Sequence, residues 1–190
     1  PNATGEAVLT EIYKELNLTC SIGVSYNKFI AKLASDYQKP FGMTVITPKR
    51  AIPFLEQLPI EDFYGVGTRS AEKMHELDIY TGADLKKLSQ DECIRYFGKA
   101  GLALYERVRG VDDRPVKVTR IRKSIGKERT FYPFLYHDNE VEETLRKLAN
   151  SVSDALGKRD MHGKVVTLKF RNADFETVTR QTSLVDAISN

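Results

Sequence analysis

Between Thr47 and Gly110 a proline or glycine interrupts the chain at positions 48, 53, 59, 65, 67, 82, 98, 101 and 110. Proline removes a backbone donor and clashes with the preceding helical turn, and glycine inside a helix costs about 1 kcal/mol relative to alanine. A long helix does not survive such punctuation, so this stretch is expected to fold as a small all-helical domain of short helices. Within it, Ser89 and Glu92 have the spacing of a capping box ahead of CIRYF, and Gly110 stands where a helix starting near Lys99 needs its left-handed cap.

The flanks read differently. Val8, Leu9, Ile12, Tyr13 and Leu16 recur at helical spacing, whereas Leu18, Cys20, Ile22 and Val24 alternate as a strand does. Ser25 is the expected N-cap of YNKFIAKLASDY, with Phe29, Ile30, Leu33, Ala34 and Tyr37 inward and Lys28 and Lys32 outward. The turn Lys39-Pro40-Phe41-Gly42 should end that helix before the strand MTVI. Residues 1–46 thus form an α-β-α-β layer with too little apolar surface to close a core alone.

Past the helical stretch, Asp112 to Thr119 reads as a linker. The helix Glu140 to Leu156 carries a Val141, Leu145, Leu148, Val152, Ala155 stripe, and KVVTLKFR and ETVTRQTSL read as strands. Arg120 to Phe131 is expected to add a basic strand to that sheet, and DAISN to begin another helix. The expected fold class is α/β and α+β multidomain, with a helical domain between its two mixed parts.

The formal net charge is only +3, from 29 basic and 26 acidic residues. Distribution says more: Lys117, Arg120, Arg122, Lys123, Lys127 and Arg129 face a single acid, Glu128, a local charge of +5. Such a run suits either a nucleic-acid backbone or an edge strand guarded by charge. Cys20 and Cys93 form no CxxC pair or disulfide framework, which fits a reducing, cytoplasmic compartment. No apolar run approaches the roughly 20 residues of a membrane span, no signal peptide opens the chain, and the missing initiator Met points to a fragment. His75, His137 and His162 lack metal-ligand spacing, and no nucleophile motif occurs.

The stretch DFYGVGTRSAEKM meets neither GxxxxGK[ST] nor GxGxxG. Its hGhG pattern suits a helix-hairpin-helix, in which glycines let the backbone approach a phosphate and the second helix points its N-terminal N–H groups at it. Thr68 is the expected N-cap, with Ala71, Met74 and Leu77 facing a partner helix. A plain tight turn has the same local pattern. Lys39 taken alone reads as a solvated lysine complementing a helix C-terminus.

Taken in order and spacing, SIGVSYNKFIAKLASDYQKPFGMTVI, LPIEDFYGVGTRSAEKMHELDI, YFGKAGLALYERVRGVDDRPV and RIRKSIGKERTF resemble the Y-family translesion DNA polymerases of the DinB type over nearly the whole chain. The resemblance implies a partial palm at 1–46, a thumb with a helix-hairpin-helix at 47–113, a linker at 114–124 and an incomplete little finger at 125–190. It implies template-directed DNA synthesis across damage, with Mg²⁺ as the complete enzyme's cofactor and primer-template DNA and a deoxynucleoside triphosphate as its partners. A sliding clamp is a further implied partner, and no membrane is.

Residue by residue, Lys39 matches the palm lysine that contacts the incoming triphosphate. Ser25, Asn27, Lys28 and Lys32 match the SxNK…K helix, with Lys32 toward the DNA or nucleotide. Gly65, Val66, Gly67 and Thr68 match the hairpin that grips the primer strand. Gly98, Lys99 and Gly101 resemble a second such turn, and Arg122, Lys123 and Ser124 match the segment along template phosphates. Tyr64 departs from the family's usual proline, and Asp78 from a capping glycine, although Asp tolerates the left-handed conformation. The family's metal carboxylates belong upstream of Pro1, so the span is expected to bind DNA without catalysing alone. The alternative is a noncatalytic DNA-binding protein that retains thumb and little-finger modules; an encoded carboxylate pair shortly before Pro1 separates the two.

Overall fold

The computed structural model describes residues 2–189; Pro1 and Asn190, the outer bounds of the first and last expected segments, lie outside the described residues. The chain divides into two compact units, Pro1–Lys117 and Val118–Asn190. The first begins with α1 (Asn2–Leu16), β1 (Ser21–Ser25), α2 (Lys28–Tyr37) and β2 (Gly42–Ile46). The two strands pair in parallel, Ser21 opposite Gly42 and Ser25 opposite Ile46, with α2 as their crossover.

The cap of α2 is Asn27, whose Oδ1 accepts the Ile30 N–H at 3.0 Å. Ser25, expected there, is instead the last residue of β1, and its hydroxyl donates to the Ile46 carbonyl at 2.8 Å. Strand pairing claims that side chain before the helix begins. Phe29, Ile30, Leu33 and Ala34 are buried as their spacing predicts, but Tyr37 stays 60% exposed, its ring edge-on to Phe54.

Short helices follow: α3 (Pro48–Gln57), a single 3-10 turn (Ile60–Asp62), α4 (Thr68–His75), α5 (Gly82–Lys87), α6 (Gln90–Phe97) and α7 (Lys99–Val108). Pro48 occupies the first turn of α3, where its missing N–H costs nothing. Pro53, expected to break the chain, lies inside α3, because Ala51 and Leu55 bury against the core and offset the lost hydrogen bond. Ser89 and Glu92 form the expected capping box, and Thr81 with Asp84 forms a second. Gly110, at φ +80°, closes α7: its N–H donates to Arg107 O, and the Val111 N–H donates to Glu106 O. Asp78, at φ +57°, does the same for α4.

One core unites the layer and the helices. Phe29, Ile30 and Leu33 of α2 pack in the same cluster as Leu55, Ile60, Phe63, Met74, Leu85, Cys93, Leu104 and Val108. Polar ties reinforce it. The Gly110 carbonyl accepts from both the Tyr26 hydroxyl and Asn27 Nδ2 at 2.8 Å, and Lys28 Nζ donates to Pro115 O at 2.7 Å. Asp112, with its side chain 3% exposed, accepts the Phe29 N–H at 3.1 Å and a two-pronged contact from Arg114. The Arg114 hydrogen bonds, then the charges of Arg114 and Arg107 and the Phe29 N–H, outweigh the Asp112 carboxyl's desolvation and hold it below its usual range.

The second unit holds α8 (Asp138–Gly157) and an antiparallel hairpin of β3 (Gly163–Arg171) and β4 (Thr177–Ile188), with Phe170 opposite Val178. Two expectations change here. The basic stretch Arg120 to Phe131 forms no strand, leaving a two-stranded sheet, because it pairs with neither β3 nor β4 and a strand needs a hydrogen-bonded neighbour. At DAISN no helix begins: β4 continues through Ile188. No described helix is long and apolar enough to cross a membrane.

Candidate nucleic-acid interface

The hairpin glycines form a turn closed by the Val66 N–H on the Phe63 carbonyl at 2.9 Å. Gly65 holds its third position at φ +100°, where a Cβ would be strained. Tyr64 therefore occupies the second position, which favours proline but accepts most residues. Gly67, rather than Thr68, is the N-cap of α4; it is extended and makes no side-chain cap, and Thr68 is the first helical residue. The first N–H groups of α4 are left without a side-chain acceptor. The arm before the turn is one 3-10 turn, shorter than the helix expected there.

A second turn repeats the arrangement. Gly98, at φ +58°, ends α6 through its N–H on Ile94 O and starts α7 as another cap without a side chain. Gly65, Val66, Arg69, Ser70, Lys73, Gly98 and Arg107 line a common groove of about 570 Å³. Two bare helix N-termini and three basic side chains thus border one space, an arrangement suited to phosphate. At Gly67 and Gly98 a Cβ would meet nothing within 4 Å, so both backbones are open. Gly101 differs: it is buried, and a Cβ there would come 2.1 Å from Cys93 O. Its role is to let α7 approach α6.

Lys32, on α2, and Lys39, just beyond its end, meet at a carboxylate. Asp36 pairs with Lys32 and, at 2.6 Å, with Lys39, and those hydrogen bonds, Lys32 first, hold its carboxyl below the usual range. Arg122, Lys123 and Ser124 lie in the second unit, exposed and outside any strand. Arg69, Lys73, Arg107 and Asp36 were not singled out from sequence. Arg69 and Lys73 had a signal, since they follow the hairpin at i, i+4 on one helix face. Arg107 had none, because only folding brings α7 to the turn.

Family models match three segments. Residues 2–36 match the impB/mucB/samB family, 61–112 match the DNA polymerase-iota thumb domain, and 122–190 match the impB/mucB/samB family C-terminal domain. The chain is 50% identical over 174 residues to a DNA polymerase IV of Streptococcus thermophilus, covering 92% of this chain and 47% of that protein. It is 51% identical over 174 residues to one from Streptococcus mutans, with the same coverage. A Y-family DNA polymerase chimera of known structure superposes with a TM-score of 0.74 at 27% identity, over 96% of this chain and 52% of the other. The chain belongs to the Y family of DNA polymerases. It spans about half the length of the curated relatives it matches.

The thumb match of this Y-family chain contains both turns of the groove. Its residues do not fit a Mg²⁺ site: among the described residues no three His, Cys, Asp or Glu side chains stand together to hold a metal ion. No catalytic step through a metal is derived from this span. What its residues can do is offer positive charge and bare backbone N–H groups to phosphate.

Proposed function

We propose that this chain is the palm-to-little-finger portion of a DNA polymerase that copies damaged templates, and that its own task is to hold primer-template DNA. In this reading residues 1–46 are the rear of the palm, 47–113 the thumb, 114–124 a linker and 125–190 an incomplete little finger. The observation that carries it is the thumb groove, where two uncapped helix N-termini meet Arg69, Lys73 and Arg107. The Gly65 to Thr68 turn holds the primer strand and the Gly98–Lys99 turn a neighbouring phosphate, while Arg122, Lys123 and Ser124 follow the template. Contacts to phosphate carry no sequence information. Lys32 adds positive charge toward the DNA, and Lys39, released from Asp36, meets the triphosphate of the incoming nucleotide. Mg²⁺, the deoxynucleotide and a sliding clamp belong to the complete enzyme.

Fluorescence anisotropy with primer-template duplexes tests the reading. Affinity should vary little among sequences and fall by orders of magnitude between about 50 and 200 mM salt, and the chain should not extend the primer when given Mg²⁺ and nucleotides. Salt-independent binding, or extension, overturns it. In the complete enzyme, Lys39→Ala should raise the KM for nucleotide and leave duplex affinity unchanged.

A further inference from the structure

The thumb groove contains an arginine with no acceptor. Arg107 is half-buried on α7, with its guanidinium carbon 5.6 Å from the centroid of the Phe29 ring. Other cations nearby are satisfied or open to water: Arg109 donates to the carbonyls of Tyr105, Lys86 and Leu88, Arg114 to Asp112, and Lys73 to Tyr96 O, while Arg69, in the same groove, is exposed. Among the described residues Arg107 has no hydrogen-bond acceptor and no ion-pair partner; its close contact is the ring. A partly desolvated charge without a partner is unfavourable and is relieved by an anion. Burial, then the nearby Arg114, lower the Arg107 guanidinium's pKa more than the charges of Asp112, Tyr64 and Glu106 raise it, so those groups compensate its desolvation only in part.

Position supplies the rest. Arg107 Nη1 lies 3.5 Å from where a Cβ on Gly65 would stand, and Arg107 lines the groove together with Gly65, Val66, Arg69 and Gly98. The ring of Phe29, itself 1% exposed, is a rigid floor that limits the guanidinium's freedom before anything binds. A planar fork held this way matches two oxygens of one phosphate.

We propose that Arg107 binds a backbone phosphate of the DNA strand held by the Gly65–Gly67 turn, so that backbone N–H groups and guanidinium grip that strand together. The inference rests on the DNA-binding reading above and adds to it a contact from outside either turn. Lysine cannot reproduce it, since an ammonium has neither the fork nor the stacking face.

The test is anisotropy of the full chain with a mixed-sequence primer-template duplex, and with duplexes carrying one neutral methylphosphonate at successive primer positions. Arg107→Gln should weaken binding roughly tenfold and flatten the salt slope by about one unit. Arg107→Lys should recover only part of the affinity, and Lys49→Gln, at an exposed site on α3, should bind as the unaltered chain does. One methylphosphonate position should weaken the unaltered chain and leave Arg107→Gln indifferent. Thermal unfolding is followed alongside. The proposal is overturned if Arg107→Gln keeps its affinity, or if its loss tracks a lowered unfolding midpoint while every methylphosphonate still weakens it. A deoxynucleoside triphosphate that binds without DNA in an Arg107-dependent way overturns the backbone assignment. If the unaltered chain binds no duplex, the functional reading itself fails; if it binds and Arg107→Gln is silent, only this inference does.

Discussion

The two units carry comparable hydrophobic patterning and put it to different use. Every buried hydrophobic residue among the described residues, from Leu9 to Val108, lies in the first unit. In the second, α8 has its expected stripe and β3 its alternation, yet Val166, Leu168, Phe170 and Val178 all remain about half exposed. Periodicity makes an element amphipathic; only a second layer turns that face into a core. The first unit has such layers in α2 to α7. A two-stranded hairpin with one helix is near the lower limit of independent stability.

Substitutions can break this comparison. Phe63→Ala, at a fully enclosed ring in the first unit, should cost about 3–5 kcal/mol in urea unfolding. Phe170→Ala, 57% exposed, should cost less than about 1 kcal/mol. Equal losses would mean that the second unit has a core of its own. A smaller effect separates glycines that pack from glycines that face solvent. Gly101→Ala forces a Cβ against the Cys93 carbonyl and should destabilise by roughly 1–3 kcal/mol. Gly67→Ala should leave stability within about 0.5 kcal/mol and lower duplex affinity instead.

Asp112 sharpens the comparison from the side of pH. Asp112→Ala leaves the Phe29 N–H and Arg114 without their acceptor and should cost about 1–3 kcal/mol. Because the folded carboxyl is held below its unfolded value, its stabilisation is complete above the ordinary carboxylate range and is lost as pH falls through the lowered value. Acid titration of unfolding should lose that component in Asp112→Asn. The smallest effect belongs to the capping box of α5, where Thr81→Ala should cost about 1 kcal/mol. Hydrogen bonds from Lys87, then Thr81, bring the Asp84 carboxyl from 3.8 to about 2. Its contribution is therefore present above pH 3.8 and fades as pH approaches 2. No difference between Thr81→Ala and the unaltered chain across that window would remove the box as a stabilising element.

Much of the local grammar was legible in advance. Ser89 with Glu92, Gly110 and the Gly65–Gly67 turn act through neighbours within a few residues, so spacing alone located them, whereas Asp78 as a cap came from the family resemblance. Ser25 and Thr68 missed as caps because a β-strand and a glycine one residue earlier claimed those roles. Pro53 misled because its hydrogen-bond cost is local while the burial that offsets it is not. The basic run was expected to add a strand to the neighbouring sheet, but a strand is a property of a pair and no partner is there among the described residues.

From the sequence alone came the succession of a small α/β layer, a helical stretch and a mixed C-terminal part, together with the glycine turn ahead of α4. Tertiary structure alone decided which charges meet. Asp112 reaches the first turn of α2 across 83 residues, and Arg107 comes from α7 to lie on Phe29 beneath Gly65. Periodicity reports which face of an element turns inward, but partners that far apart are selected by packing shape, and packing exists only in the folded chain.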